Sequence, residues 1–340
     1  MTSESVPVDD AESIAESAGL RYVNDEMPGL TRRRRGTGFS YVRADGRVVN
    51  GSTRSRITEL AIPPAWTDVW ISIDPQSHLL ATGRDDQGRK QYLYHERWRE
   101  VRDELKFDRL VEFSDGLIEV RKQVASDLRR RSLDERRVVA AVIRLLDTTL
   151  IRVGNERYAA ENDTFGLTTL EPRHVVAEGS VRSLRFPGKG GTEWCVEVDD
   201  RAAVRVVDAC LELDQPQLFA FRADDGRIVD VTADQVNDRL CSIAGPDATA
   251  KTFRTWGGTV AAVGSLAGRD PAVDDDTAVL AAVDAAAEAL GNTRAVCRAC
   301  YVAPRVLATP LDDRFDQVWR SSRGGRWRNR AENATAKLLE

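Results

Sequence analysis

The stretch SLDERRVVAAVIRLLDTTLIRVGNERYA, residues 132–159, is apolar around much of a helical circumference and not along one stripe only. Such a helix has no face to give to water and belongs in the middle of a domain. Ser132 and Glu135 stand three apart before the apolar run and predict a capping box at its start. The run leads into Arg152, followed by Val153 and Gly154. A guanidinium leaving a buried segment needs an anionic partner, because an unpaired buried charge is costly. The stretch therefore predicts a buried central helix and a cation aimed out of the core.

Downstream, SVRSLRF (180–186) and EWCVEV (193–198) flank PGKGG (187–191), which predicts a β-hairpin with Lys189 in its turn. RAAVRVVDACLEL (201–213) returns to helix, and Thr232 with Gln235 predicts a second capping box before VNDRLCSIAG. Two more helices are read in 247–268 and 277–291. Upstream the pattern changes. FSYVRADGRVV (39–49) alternates around Asp45-Gly46, and residues 70–95 hold two further strand–turn–strand patterns, near Asp74-Pro75 and Gln87-Gly88. RWREVRDELKFDRL (97–110) reads as a connecting helix and DGLIEVRKQVASDLRR (115–130) as an amphipathic one. The expected architecture is α+β. It has a disordered acidic leader over 1–20, a small β-rich domain over 21–105, and a larger, mainly helical domain with a β-hairpin insert over 106–340.

The 340 residues carry 42% hydrophobic and 30% charged side chains, an ordinary globular balance. No apolar run is long enough to span a bilayer, and the polar, acidic N-terminus is unlike a signal peptide, so a cytoplasmic protein is expected. Five scattered cysteines argue for reduced thiols. Cys297 and Cys300 form a CxxC, but no second CxxC exists and His78, His95 and His174 lie far from it in sequence, so no metal site is expected. Net charge is −5, yet base is concentrated in 31–41, 88–99 and 320–330. A local basic face is what a phosphate backbone responds to, so the overall sum does not exclude nucleic acid.

Four charged or polar residues stand out: Arg152; Arg254, one turn after Lys251 in KTFRTWGG; Lys189 in its glycine-rich turn; and Tyr301 in GNTRAVCRACYVAP (291–304). Singly, each has an ordinary reading. Arg152 pairs with Glu156 along a helix; Lys189 is solvated; Arg254 is a structural salt-bridge partner; Tyr301 is a core aromatic with one wet end. Jointly they fit phosphoryl transfer. Two arginines hold one phosphodiester through their planar forks. A lysine protonates a leaving alkoxide, and a tyrosine hydroxyl serves as covalent nucleophile. No carboxylate cluster for a metal and no Walker-type loop is present, so neither a cofactor nor a nucleotide is expected.

The chain resembles the type IB DNA topoisomerases, specifically their poxvirus-like bacterial branch. RRRRGTGFSY, IPPAWTDVWI, TGRDDQGRKQYLYHERWREVRD, LIRVGNERYAAENDTFGLTTL, FPGKGG, KTFRTWGGTVAA and LGNTRAVCRACYVAP carry the resemblance, in the family's order and over nearly all the chain after the leader. The resemblance implies that Tyr301 attacks a DNA phosphodiester and becomes linked to the 3′ phosphate. It implies that Arg152 and Arg254 stabilise the transition state, that Lys189 protonates the leaving 5′ oxygen, and that Asn292 hydrogen-bonds a non-bridging oxygen where the viral enzymes carry histidine. Gln91, Tyr92 and Tyr94 match the family's major-groove strand, and Arg89, Lys90 and Lys251 are expected to contact DNA. The sequence departs from the family at Gly257, where FRTWHGT is usual, and at Val302-Ala303-Pro304, where YIHP is usual. The implied protein is a monomer that closes as a C-shaped clamp on duplex DNA, associates with the nucleoid, and relaxes supercoils by cleavage, swivelling and religation without ATP or metal.

Three alternatives share parts of this reading. Tyrosine recombinases use the same chemistry but carry an HxxR motif, where this chain has Lys251 and Arg254, and a helical N-terminal domain. A non-catalytic DNA-binding protein on the same scaffold is the second. A zinc or redox protein built on Cys297 and Cys300 is the third.

Overall fold

The computed structural model describes residues 8–308 and 313–340. The chain divides into two compact units, 1–106 and 107–340. In the first, α1 (Val8–Ser17) precedes the hairpin β1 (Leu30–Arg35) and β2 (Gly38–Val42), then α2 (Gly51–Glu59), β3 (Thr67–Ile71), β4 (Leu79–Arg84) and β5 (Lys90–Tyr94). The strands form one antiparallel sheet in the order β2-β1-β3-β4-β5. Its covered face packs Leu30, Val49, Ile57, Ile62, Val69, Ile71 and Ala81. Arg32, from the basic run, donates to the carbonyls of Ile62 and Pro63 and lies 4.2 Å from the Phe39 ring centre, so it serves the fold. The Asp45-Gly46 turn is closed by Gly46 N donating to Arg43 O, but it extends β2 by only one bridge, Val42 to Val48.

The acidic leader needs correction. Residues 8–17 form helix α1, and Ala11, Ile14, Ala15 and Leu20 bury against Trp98. A few small apolar residues at helical spacing suffice once a tryptophan is there to receive them. Residues 1–7 lie outside the described part.

The two helices expected over 97–130 are one, α3 (Glu96–Asp127), 32 residues long, and the boundary between the units falls within it. The second unit continues with α4 (Glu135–Thr149), α5 (Glu156–Asn162), strands β6 (Val175–Glu178), β7 (Val181–Gly188) and β8 (Thr192–Val198), and α6 (Arg201–Leu211). A short ribbon, β9 (Ala220–Arg222) with β10 (Ile228–Asp230), leads to α7 (Ala233–Ala244), α8 (Ala250–Ala267), α9 (Asp275–Leu290), α10 (Arg294–Cys300), α11 (Pro304–Ala308), α12 (Asp313–Ser321) and α13 (Arg330–Leu339). Helix α4 is the central one: eight of its residues between Val138 and Leu146 are buried. Its cap is Asp134, whose carboxylate accepts from Arg137 N, and the Ser132 hydroxyl donates to that same carboxylate at 2.6 Å. An aspartate one residue before the helix competes better for the cap than a serine three before it, which corrects the expected Ser132–Glu135 box. The Thr232–Gln235 box forms as read.

The basic C-terminal tail is docked. Arg328 donates to Ser114 O and to Asp115, and Arg330 to Trp319 O. In α13, Glu332, Ala334, Thr335, Leu338 and Leu339 are buried. Arginine stems lie well along apolar surface, so a basic sequence need not be a wet one. No helix among the described residues is long and apolar enough to cross a membrane.

Candidate active site

Two helix ends define the site. Helix α4 stops at Leu150, which takes the left-handed conformation (φ 55°, ψ 18°), and α9 stops at Gly291 (φ 56°, ψ 49°). Such a residue is a usual helix stop and turns the chain sharply aside. Arg152 and Asn292 follow directly on these turns, and Arg152 Nη2 donates to Asn292 Oδ1 at 2.5 Å. Arg254, from the start of α8 and only 3% exposed, lies between the two ends. Its Nη1 donates to Leu150 O and its Nη2 to Leu290 O at 2.8 Å. Both acceptors are terminal helix carbonyls, whose partial negative charge suits a cation.

Tyr301 follows α10, and its ring centre lies 5.4 Å from Arg254 Cζ. Its backbone is pinned: N donates to Cys297 O at 2.9 Å, and O lies 3.2 Å from the Thr259 hydroxyl. Thr259 Oγ1 also accepts from Ala303 N at 3.2 Å. Gly258 supplies the room, since a Cβ there would lie 2.9 Å from Tyr301 O. The sequence reading missed Thr259; its signal was a hydroxyl within an otherwise apolar helical stretch.

Lys189 stands exposed in the β7–β8 turn, where Gly190 (φ 82°) and Gly191 (φ 77°) allow a bend that other residues rarely take. Two attachments fix this hairpin relative to the arginines. Phe165 N donates to Pro187 O at 2.9 Å, and two residues on Leu167 N donates to Arg152 O at 2.9 Å. Gly166 makes this lacing close: a Cβ there would meet Arg152 O at 2.6 Å. On the other side Trp194 of β8 rests on Gly291, where a Cβ would lie 2.6 Å from the indole. The hairpin is thus tied to the loop of Arg152 and to the corner of Asn292.

Burial pushes both guanidiniums below their ordinary pKa, and Arg152 pushes Arg254 further in the same direction. Among the described residues neither arginine has a carboxylate partner, and Arg152 turns to Asn292, not to Glu156. Arg254 Nε and Asn292 Nδ2 are buried donors without an acceptor in hydrogen-bond geometry. A buried unmatched N–H is costly, and one on a buried cation is an offer to an anion. Cys297 lies beside them, its thiol raised by burial against the pull of Arg254 and Asn292. None of the five cysteines is in a disulfide, and no group of three or more metal-type ligands occurs among the described residues.

The chain is similar to known proteins over both units. Residues 95–313 match the family described as eukaryotic DNA topoisomerase I, catalytic core, and residues 38–85 match the bacterial DNA topoisomerase IB N-terminal domain. DNA topoisomerase 1B of Acanthamoeba polyphaga mimivirus is 31% identical over 236 residues, covering 68% of this chain and 70% of its own. DNA topoisomerase 1 of rabbit fibroma virus is 30% identical over 39% of this chain and 43% of its own. Vaccinia virus DNA topoisomerase 1B is 22% identical over 77% and 83%. The chain belongs to the type IB DNA topoisomerases.

In this topoisomerase the residues expected on the DNA-reading strand do not share one face. Along β5, Lys90, Tyr92 and Tyr94 point one way, and Gln91 and Leu93 the other. Leu93 packs on the sheet's core, and Tyr92 stacks on Tyr94 with ring centres 5.9 Å apart. Two aspartates that the sequence reading passed over hold the polar members. Asp25 bonds Lys90 Nζ at 2.8 Å and accepts from Thr82. Asp85 accepts from Arg89 Nε at 2.8 Å and Gln91 Nε2 at 2.9 Å. Lys251 is exposed at the start of α8, one turn before Arg254.

Proposed function

We propose that Tyr301 is the nucleophile of this topoisomerase and that the residues around it bind one scissile phosphodiester of duplex DNA. The phenolic oxygen attacks phosphorus, the new tyrosyl ester forms with the 3′ phosphate, and the bond to the 5′ oxygen breaks. The phenol's proton passes to water, and Lys189 supplies a proton to the departing 5′ oxygen. Arg152 and Arg254 hold the non-bridging oxygens as charge builds on the five-coordinate phosphorus, and Asn292 adds a neutral donor. One phosphodiester is exchanged for another, so the step is nearly isoenergetic and reversible. The free 5′ end turns about the intact strand and lets supercoils out before religation. The N-terminal unit adds duplex contacts through β5 and its neighbours, and a monomer is sufficient because one tyrosine cuts one strand. This reading places the protein on chromosomal DNA in the cytoplasm.

One observation carries the assignment: the buried Arg254 and the half-buried Arg152 converge beside a tyrosine, with unmatched donors on Arg254 Nε and Asn292 Nδ2 and no acidic partner among the described residues. The test is relaxation of supercoiled plasmid in EDTA without ATP, wild type against Tyr301→Phe. Relaxation by the wild type alone supports the reading. Equal relaxation by both would show that Tyr301 is the wrong nucleophile, and relaxation by neither, with duplex binding kept, would point to a non-catalytic binder.

A further inference from the structure

Gly257 marks a departure from the family pattern, and its surroundings show what took up the space. A Cβ at position 257 would lie 2.6 Å from Cδ1 of Leu150, closer than real carbon contacts, and 3.1 Å from its Cγ, tighter than most. The isobutyl group of Leu150 therefore fills the notch that a glycine leaves in α8. Gly257 and Arg254 lie one turn apart on the same face of that helix. The carbonyl of the same Leu150 accepts from Arg254 Nη1. One residue thus grips α8 twice, by its side chain at 257 and by its backbone at 254. It does so from a left-handed conformation that a leucine seldom takes, and which glycine would fill more easily. Arg152 comes two residues later on the same turn.

We propose that Leu150 and Gly257 form a peg and notch that sets the distance between Arg152 and Arg254. Leu150 is a positioning residue: it touches no phosphate itself but fixes where both arginines stand. Gly257 is there for room and not for backbone freedom, since it lies inside a regular helix. A side chain at 257 pushes Leu150 outward, and with it the Arg254 acceptor and the root of Arg152. This inference rests on the assignment of both arginines to the chemistry.

The experiment measures single-turnover formation of the covalent protein–DNA adduct on a duplex, together with duplex affinity and melting temperature. Gly257→Ala is expected to slow cleavage about tenfold or more, because an ångström-scale misplacement of catalytic groups can cost ~100-fold. Duplex affinity should stay within about twofold, as the change leaves the binding charges in place. Leu150→Gly keeps the carbonyl and suits the left-handed backbone but removes the peg, and it should slow cleavage by itself. The double variant Leu150→Gly, Gly257→Ala should be faster than Gly257→Ala alone, because the added methyl then has space. Wild-type cleavage by Gly257→Ala or by Leu150→Gly overturns the peg. So does a double variant no faster than Gly257→Ala at an unchanged melting temperature. If Gly257→Ala does not fold, the folded Leu150→Gly decides alone, by a slowed or an unslowed rate. Arg254→Ala runs alongside: normal cleavage by that variant overturns the catalytic assignment and this inference together, whereas its loss of cleavage with an unaffected Gly257→Ala overturns the peg only.

Discussion

Arg152 and Asn292 stand 140 residues apart in the chain and meet in one hydrogen bond, Nη2 to Oδ1 at 2.5 Å. Committing the amide oxygen to the arginine turns the NH₂ group of Asn292 away from it, beside the Cys297 thiol and without an acceptor in hydrogen-bond geometry. The bond therefore makes asparagine, which could donate or accept, into a donor.

Asn292→Asp exchanges that donor for a carboxylate and gives Arg152 an internal anion. Removing one donor from a site that stabilises developing negative charge costs roughly 100-fold or more. Cleavage of a duplex should fall by at least that much while the melting temperature holds or rises. Asn292→His, which keeps an N–H, should retain most of the rate. A wild-type rate for Asn292→Asp would remove Asn292 from the chemistry.

Lys189→Ala should slow adduct formation on an ordinary duplex by about 100-fold, the usual worth of a positioned general acid. A thiolate leaves without help, so a duplex with sulfur at the scissile 5′ position should be cut almost equally by both proteins. Equal losses on both substrates would instead mean that Lys189 binds DNA and does not donate the proton.

Arg121 joins three helices. It donates to Asp147 of α4 at 2.8 and 2.7 Å, to Glu332 of α13 at 3.0 and 2.6 Å, and to Trp327 O. Its two carboxylates are nearly buried, and removing the cation leaves both uncompensated. Arg121→Ala should destabilise the catalytic unit by about 3 kcal/mol or more, seen in denaturant unfolding. A loss below about 1 kcal/mol would mean that water reaches the carboxylates.

His78 stacks on Tyr22 at 4.6 Å, lies against Trp98, and accepts from Val23 N through Nδ1. Burial lowers its pKa from 6.5 to about 4. The unfolded chain then binds a proton that the folded chain refuses, so stability present above pH 6.5 is lost as pH falls toward 4. The loss is on the order of 3 kcal/mol, and His78→Phe, which keeps the stack, should flatten it in thermal unfolding between pH 7 and 4. An unchanged slope in that variant would assign the effect to other groups.

Much of this was legible in the sequence, for identifiable reasons. The buried helix α4, the β7–β8 hairpin and the Thr232 cap announce themselves through apolar pattern, turn glycines and cap spacing. Arg152, Arg254 and Tyr301 stand out as charged and polar groups beside apolar runs, Asn292 is named only by the resemblance, and the fold gathers all four. What stayed hidden depends on distant or anonymous partners. Helix α1 needs Trp98, some eighty residues on, to be worth forming. The tail's arginines find backbone carbonyls, as Arg328 does at Ser114, and a carbonyl leaves no mark in a sequence. The same holds for Leu150 O and Leu290 O, which place Arg254. The three cap-competent residues Ser132, Asp134 and Glu135 stand so close together that only the geometry could choose among them.

The backbone seat of Arg254 also affects what must leave when a phosphate arrives. At the start of β5, Lys90 and the preceding Arg89 already hold Asp25 and Asp85, so a DNA phosphate there has to displace a tenant. Arg254 is held by peptide oxygens that can be neither titrated nor evicted. On the proposed assignment, anion entry beside Arg254 is an addition, while at β5 it is an exchange. The duplex should therefore lose affinity with salt less steeply than the number of its cationic contacts suggests, because part of the counter-charge comes from the protein and not from the solution.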